Sequence, residues 1–175
     1  MFLSISSTTR PPRGSEREGI EYYFISGDEF KRRVAAGDFL EHAQYGDNRY
    51  GTERRNLENA KNSGRDLVLD IEVQGVEQLK KLSGVQVITI FVMPPSFKIL
   101  SERLAARGTE NQEKIATRLK IAEQEIKKLS SPKFSDYLLL NDSFDKSIEN
   151  ARSIIRAERL KMSRVSSATL ADLTR

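Results

Sequence analysis

Residues 6–16 read SSTTRPPRGSE, a run of hydroxyl side chains followed by two arginines on either side of a Pro-Pro pair. Each proline fixes its own φ and favours extended backbone at the residue before it, so Arg10 and Arg13 are held on a stiff loop. Guanidinium groups bind phosphate oxygens through paired hydrogen bonds and stay charged. Taken alone, the stretch fits a phosphate clasp and a basic, proline-broken surface loop equally well.

The composition is typical of a soluble globular protein. The chain has 175 residues, 38% of them hydrophobic and 31% charged, which suits one domain or one domain with a small insertion. The 29 basic residues exceed the 25 acidic ones only slightly and are interspersed, which argues against nucleic acid as the main ligand. With no Cys and only His42, a zinc site or a histidine-based triad is not indicated. No apolar run would span a membrane and no signal peptide is recognisable, so we expect a cytoplasmic protein.

Hydrophobic patterning predicts strands alternating with helices, as in an α/β domain with a mainly parallel sheet. The predicted strands are residues 2–5, 19–25, 39–45, 66–73, 85–93 and 137–140. The predicted helices are residues 26–37, 52–64, 74–82, 96–107, 112–129 and 144–162. The nearly unbroken apolar run of residues 85–93 predicts a strand buried on both faces. Shorter strands between Tyr22 and Thr52 look antiparallel and predict a small lobe beside the main sheet.

Acidic and hydroxyl side chains stand where α/β proteins bind ligands, at the ends of strands. Glu41 lies near one end of a predicted strand, and Thr52 follows that strand at a predicted helix start. A carboxylate accepts hydrogen bonds from the N1–H and the exocyclic amine of guanine. A hydroxyl at a helix start can bind a carbonyl or a phosphate. Asp70 and Glu72 share one strand face, toward a ligand or a magnesium shell. For Glu41 and Thr52, the alternative is a solvated acid beside an ordinary turn. For Asp70 and Glu72, the alternative is the polar face of an edge strand, and the apolar residues 67–69 make this alternative less favoured.

Three arginines form another candidate cluster. Arg103 and Arg107 lie one turn apart on one predicted helix, and Arg118 follows the Gly-Thr-Glu break at residues 108–110. Arginines that converge on a mobile segment neutralise phosphoryl charge during transfer. Solvated helix faces explain the same spacing equally well.

Taken in order, these motifs resemble the guanylate kinase family. SSTTRPPR at residues 6–13 is similar to its S-x-TTR-x-PR signature, and GIEYYF at residues 19–24 to its G-x-x-Y-x-F strand. The other matching motifs are GDFLE at 37–41, YGT at 50–52, DIEVQG at 70–75, PPS at 94–96, RLAARGT at 103–109 and ND at 141–142. The resemblance runs from about Leu3 to Leu160, and ordered motifs over that length are far more specific than any single pattern.

The resemblance implies a P-loop NTPase-like nucleoside monophosphate kinase fold with a parallel sheet core, a small GMP-binding lobe and a helical lid. The implied domain spans residues 1–163, with the lobe at about 8–54 and the lid at about 97–130, and residues 164–175 are a frayed tail. The implied reaction is ATP + GMP → ADP + GDP, with Mg²⁺ accompanying ATP as the phosphoryl donor. The implied partners are therefore GMP and ATP, with neither nucleic acid nor a membrane, and the sequence indicates no oligomeric state.

The resemblance also assigns a role to individual residues. The GMP phosphate would be held by Ser6, Arg10, Arg13 and Tyr22, with Tyr50 in contact and Glu16 at the edge of the lobe. Guanine would be read by Glu41, Thr52 and Asp70. The catalytic lid arginines would be Arg103, Arg107 and Arg118, and the adenine and ribose side would be flanked by Asn141 and Asp142. Glu72 stands where an Asp is expected and would face the magnesium shell.

One family motif has no counterpart in the chain. The family begins with a strand, a phosphate-binding loop of the G-x-x-x-x-G-K-[ST] type and a helix, whereas this sequence contains no Gly-Lys pair. The missing unit would be roughly 30 residues long. We expect a start-site truncation, which in-frame Gly-Lys-Ser or Gly-Lys-Thr codons upstream of Met1 would support and an immediate stop codon would contradict. The alternative to an active kinase is a catalytically inactive guanylate kinase-like module that binds GMP or a phosphorylated peptide. A basic nucleic-acid-binding protein is the third and least favoured hypothesis.

Overall fold

The computed structural model describes residues 1–106, 112–129 and 134–164. They form two compact units, one from Met1 to Val87 and a second that begins at Ile88. Strands and helices alternate in both units, and each unit contains a parallel strand pair, so the predicted α/β class is confirmed. The predicted limits of the lobe and the lid stay predictions, and residues 165–175 of the predicted tail lie outside the described residues.

The first unit is built on a mixed four-stranded sheet and a separate parallel strand pair. In chain order its elements are β1 (Phe2–Leu3), β2 (Ser6–Thr8), β3 (Tyr22–Phe24), α1 (Gly27–Ala36), β4 (Phe39–Tyr45), β5 (Asn48–Glu53), α2 (Arg54–Asn62), β6 (Leu67–Val68) and α3 (Val73–Leu79). The sheet order is β3-β2-β5-β4, and β1 pairs in parallel with β6. Because β5 runs antiparallel to both of its neighbours, the predicted antiparallel character of this region is confirmed.

Local signals define helix α1 and the strand that follows it. Ser26 precedes the helix and its Oγ accepts from the backbone N–H of Glu29 at 3.1 Å, as its capping-box spacing predicts. Gly37 ends the helix with φ of 74°, a left-handed conformation that favours glycine. Phe30 from α1 stacks on Phe39 from β4 with ring centroids 4.7 Å apart, and both rings are buried. This aromatic contact joins α1 to the sheet.

Several sequence-based boundaries in the first unit are wrong. Thr52 does not begin a helix; it lies in β5, and α2 begins at Arg54 with Glu53 as its N-cap residue. The side chain of Glu53 makes no cap bond because it is used elsewhere, as an acceptor for Ser7 and Arg33. The helix predicted for residues 74–82 is α3, which ends three residues earlier at Leu79.

The strand predicted around the candidate acidic residues is also much shorter. It is confined to β6, so Asp70 and Glu72 lie outside a strand and the prediction that they share one strand face is wrong. Glu41, predicted at a strand end, lies inside β4.

The second unit contains a parallel strand pair and three α-helices within the described residues. Its elements are β7 (Ile90–Met93), α4 (Phe97–Ala106), α5 (Gln112–Leu129), β8 (Tyr137–Leu140), α6 (Phe144–Arg159) and a 3₁₀ turn (Met162–Arg164). β7 and β8 pair from Ile90–Tyr137 to Met93–Leu140. Ser96 accepts from the backbone N–H of Ile99 at 3.2 Å, which confirms the predicted helix start after the two prolines.

The predictions for this unit fail where burial was inferred from apolar sequence alone. The strand predicted over residues 85–93 is confined to Ile90–Met93, because β8, its only partner among the described residues, pairs with those four residues. It is not buried on both faces, since Val92 is 53% exposed. Helix α6 ends at Arg159 rather than Met162, and Leu160, which falls inside the predicted helix, is 80% exposed.

Candidate functional site

A carboxylate and two hydroxyls meet on the sheet of the first unit. Glu41 on β4 pairs with Thr52 on β5, and its Oε1 accepts from the backbone N–H of Thr52 at 3.0 Å. The Thr52 Oγ1 lies 3.5 Å from the Oγ of Ser6 on β2. The strand register therefore brings together Ser6, Glu41 and Thr52, which lie far apart in the sequence.

The carboxylate and the threonine hydroxyl are both deeply buried. Glu41 is 3% exposed and Thr52 is fully buried. Burial raises the pKa of Glu41 above its ordinary value because a carboxylate loses hydration, while the hydrogen bonds from Thr52 oppose the rise. Because both side chains are buried, a ligand reaches the Glu41 carboxylate or the Thr52 hydroxyl only after covering atoms move.

Arg10 forms a fork-shaped ion pair in the loop after β2. Its Nη1 and Nη2 each donate to one carboxylate oxygen of Glu16 at 2.9 Å, and Nη1 also donates to the Pro11 carbonyl at 2.8 Å. The guanidinium lies over the ring of Tyr22, 5.3 Å from its centroid. Arg10 is buried, with only 6% of its surface exposed. The pKa of Arg10 is raised above its ordinary value, first by the hydrogen bond to Glu16.

Glu16 also ties Arg13 into the same loop. Its Oε2 accepts from the backbone N–H of Arg13 at 2.8 Å. The Arg10 guanidinium holds the pKa of Glu16 below its usual range, so the carboxylate is ionised at neutral pH. Glu16 therefore closes the loop that carries both predicted phosphate-binding arginines, and the side chain of Arg13 is exposed on that loop.

Two tyrosines adjoin the arginine loop. The rings of Tyr22 and Tyr50 pack edge to face with centroids 6.0 Å apart. Burial raises the pKa of Tyr22, and the neighbouring Tyr50 and Asp70 add to the rise, so the phenol keeps its proton. Asp70, on the segment between β6 and α3, is exposed and close enough to act electrostatically on Tyr22. All nine residues predicted to bind GMP lie in the first unit, and eight of them join one of these direct contacts.

The predicted donor-side residues lie in the second unit. Arg103 on α4 donates through Nη1 to the carbonyl of Asn141 at 2.9 Å and through Nη2 to that of Asp142 at 3.4 Å. The structure thus brings three of the predicted residues together at the end of β8. Arg118 is half-buried on α5, and Arg107 lies outside the described residues.

A protein-held metal site is not built by the described residues. Among residues 1–106, 112–129 and 134–164, no group of three or more His, Cys, Asp and Glu side chains could hold a metal ion. Glu72 is half-buried at the N-cap of α3. Magnesium bound to a nucleotide takes most of its ligands from phosphates and water, so a single carboxylate is consistent with the predicted role of Glu72.

Two groups of residues at the site were not predicted from the sequence. Gln78 on α3 pairs with the backbone of His42 on β4, donating to its carbonyl at 2.6 Å and accepting from its N–H at 3.1 Å. Buried Glu53 accepts from the Ser7 hydroxyl at 3.0 Å and from Arg33 at 2.8 Å. The only sequence signal for the first group is the Gln74–Gln78 spacing of one helical turn, and none marks the second.

The fold and the site define a class of protein, an α/β nucleoside monophosphate kinase. A polar cluster on the mixed sheet of the first unit and an arginine on helix α4 of the second unit fit this class. The family model described as guanylate kinase matches residues 1–158. The chain belongs to the guanylate kinase family.

Relatives and solved structures agree with this assignment. A guanylate kinase of Rhodopseudomonas palustris is 42% identical over 162 residues, which are 93% of this chain and 72% of that protein. One of Hahella chejuensis is 44% identical over 161 residues, 92% of this chain and 76% of that protein. The crystal structure of guanylate kinase from Anaplasma phagocytophilum superposes with a TM-score of 0.79 at 34% identity, covering 95% of this chain and 80% of that one. None of the helices described in the present structure has the length and apolarity needed to cross a bilayer.

Proposed function

We propose that this chain binds GMP in its first unit and transfers a phosphoryl group to it from ATP. The observation that carries the proposal is the joint placement of two chemically different clusters on one sheet. Ser6, Glu41 and Thr52 form a polar cluster suited to a purine edge. Arg10 and Tyr22, on the neighbouring loop and strand, form a cationic cluster suited to a phosphate.

Recognition of guanine follows from the chemistry of Glu41. Guanine presents an N1–H and an exocyclic amine, both hydrogen-bond donors, whereas adenine presents an acceptor at N1. An ionised carboxylate is acceptor-only and has about four lone-pair sites, of which the Thr52 N–H takes one. Glu41 therefore has capacity for both guanine donors, and exposed Asp70 would supply a further acceptor.

Phosphate binding follows from the arginine loop. A guanidinium has five N–H donors in a rigid fork. Arg10 uses two on Nη1 and one on Nη2 for Glu16 and the Pro11 carbonyl. The exposed side chain of Arg13 is the more accessible cation, so we propose that it meets the phosphate first and that Arg10 and Tyr50 complete the clasp.

Transfer would depend on the arginines of the second unit. We propose that Arg103, Arg107 and Arg118 neutralise charge on the transferring phosphoryl group, while Asn141 and Asp142 flank the adenine and ribose. Magnesium bound to ATP would neutralise charge on the phosphate chain, and Glu72 would contact its hydration shell. The cysteine-free composition suits a reducing compartment, and we propose the cytoplasm.

A second candidate is a GMP-binding module without transferase activity. It is favoured by the contrast between the assembled GMP-side residues and a sequence without any Gly-Lys pair. The two candidates separate in one experiment on the full chain: GMP titration followed by calorimetry, and a coupled ADP-release assay with ATP, GMP and Mg²⁺. Turnover supports the kinase, GMP binding without turnover supports the module, and absence of GMP binding contradicts both.

A further inference from the structure

Gly75 lies directly against the carboxylate of Glu41. It is buried in the first turn of α3. A Cβ built on Gly75 would overlap Oε2 of Glu41, and would lie 2.9 Å from its Cδ and 3.3 Å from its Cγ. Real Cβ atoms do not approach other atoms that closely, so any side chain at this position would displace the carboxylate.

Helix α3 is fixed to the strand that carries Glu41. Gln78 satisfies both backbone groups of His42, the residue after Glu41, as a neighbouring strand would. One turn earlier, Gln74 Nε2 donates to the Gln44 carbonyl at 3.2 Å. Because these bonds hold the helix against β4, the backbone at residue 75 cannot retreat from the carboxylate without breaking them.

We infer that Gly75 is a positioning residue for guanine recognition, which sets the orientation of the Glu41 carboxylate by having no side chain. The carboxylate is enclosed between the Thr52 N–H, which binds Oε1, and the Gly75 backbone, against which Oε2 lies. This inference rests on the proposed GMP-binding function. It adds a determinant of purine selectivity that makes no bond to the base itself.

The test is Gly75→Ala in the full chain, with Gly27→Ala as the matched control. Both glycines are in the first turn of a helix, but a Cβ at Gly27 meets no atom within 4 Å. Alanine is normally the better helix former, so helix propensity alone predicts no loss from either substitution. Because the atom that must move at residue 75 is the end of a side chain, Gly75→Ala is expected to remain folded.

The expected result is a Kd for GMP that rises about 10- to 100-fold in Gly75→Ala, the effect of a displacement of about 1 Å in a binding group. Gly27→Ala should keep the wild-type Kd. IMP lacks the exocyclic amine of GMP, so the ratio of the two dissociation constants reports the contact that Glu41 makes with that amine. A displaced carboxylate brings this ratio toward one, whereas general loosening of the fold weakens both ligands equally.

Adding Glu41→Asp to Gly75→Ala supplies a rescue. The aspartate is one methylene shorter and makes room for the alanine methyl, so the double variant is expected to bind GMP more tightly than Gly75→Ala alone. An unchanged Kd in Gly75→Ala, an unchanged GMP-to-IMP ratio or a failed rescue would overturn the inference while leaving the proposed function intact. A wild-type chain that binds no GMP would overturn both.

Discussion

Replacing Glu41 with glutamine is expected to raise the stability of the protein and abolish most of its GMP affinity. The substitution removes the charge of a side chain that is 3% exposed. It keeps an amide oxygen that accepts from the Thr52 N–H, so the contact between β4 and β5 is preserved. The two effects have opposite signs because the buried charge costs free energy of folding and provides recognition.

The stability effect depends on pH in a defined direction. Burial raises the pKa of Glu41 in the folded chain above its ordinary value of 4.5. Below pH 4.5 the carboxyl is protonated in both states and costs nothing. As the pH rises toward the folded pKa, the unfolded chain ionises first, so the free energy of unfolding of the wild type falls, and above the folded pKa the loss is constant. Glu41→Gln should therefore melt at a higher temperature than wild type at pH 7, with the difference vanishing near pH 4.

The binding effect follows from hydrogen-bond inventory. An ionised Glu41 accepts from both guanine donors, and each hydrogen bond to a charged group contributes about 1.5–3 kcal/mol. Glutamine turns an NH₂ group toward one of those donors, and a net loss of about 2–4 kcal/mol corresponds to a Kd about 30- to 700-fold higher. The matched control is Glu58→Gln, which removes the same charge from an exposed side chain of α2.

Thermal melts between pH 4 and pH 8 and GMP titrations at pH 7, each on wild type and both variants, measure these effects. A Glu41→Gln chain that melts below wild type at pH 7 would contradict the stated cost of the buried charge. Wild-type GMP affinity in that variant would refute the assignment of Glu41 to guanine. Glu58→Gln should change neither quantity.

Three further substitutions test the rest of the site. Glu16→Ala removes the carboxylate that holds the Arg10 guanidinium in place. GMP binding should weaken about 2- to 12-fold, because ordering the freed Arg10 side chain costs about 0.5–1.5 kcal/mol. Tighter binding would show instead that Glu16 competes with the phosphate for Arg10. Glu53→Ala leaves the fully buried Ser7 hydroxyl without its acceptor and should lower the free energy of unfolding in urea by about 1–3 kcal/mol, and an unchanged midpoint would contradict this. Exposed Arg103→Ala should change stability by less than about 0.5 kcal/mol. Its turnover should nevertheless fall about 100-fold or more in the ADP-release assay, and wild-type turnover would exclude a catalytic role.

The elements that were predicted well carry their own signals. Strand β4, helix α5 and strand β8 have the bounds predicted from the sequence. The start of α1 is marked by Ser26 and its end by Gly37, and each makes the cap contact that its residue type favours. Such signals act within a few residues, so no knowledge of distant neighbours is needed to read them.

The elements that were missed are determined by distant partners. Residues 48–53 read NRYGTE, with little hydrophobic alternation, yet they form β5 because β2 and β4 pair with both of its edges. Part of the run at residues 85–93 stays outside a strand for the converse reason, since no described strand pairs with residues 85–89. The role of Gln78 as a substitute for a neighbouring strand likewise depends on where α3 packs.

The charged groups of the GMP-side cluster already make hydrogen bonds before any ligand arrives. Arg10 forms an ion pair with Glu16, whereas Glu41 accepts a hydrogen bond from the Thr52 N–H. A phosphate or a guanine then exchanges one set of hydrogen bonds for another, and only the difference contributes to affinity. The orientation of the Glu41 carboxylate therefore matters more for GMP affinity than the number of contacts it makes. In the orientation that Gly75 allows, the carboxylate can accept from both guanine donors and keep its hydrogen bond to the Thr52 N–H. A displaced carboxylate would have to lose one of these hydrogen bonds to form another.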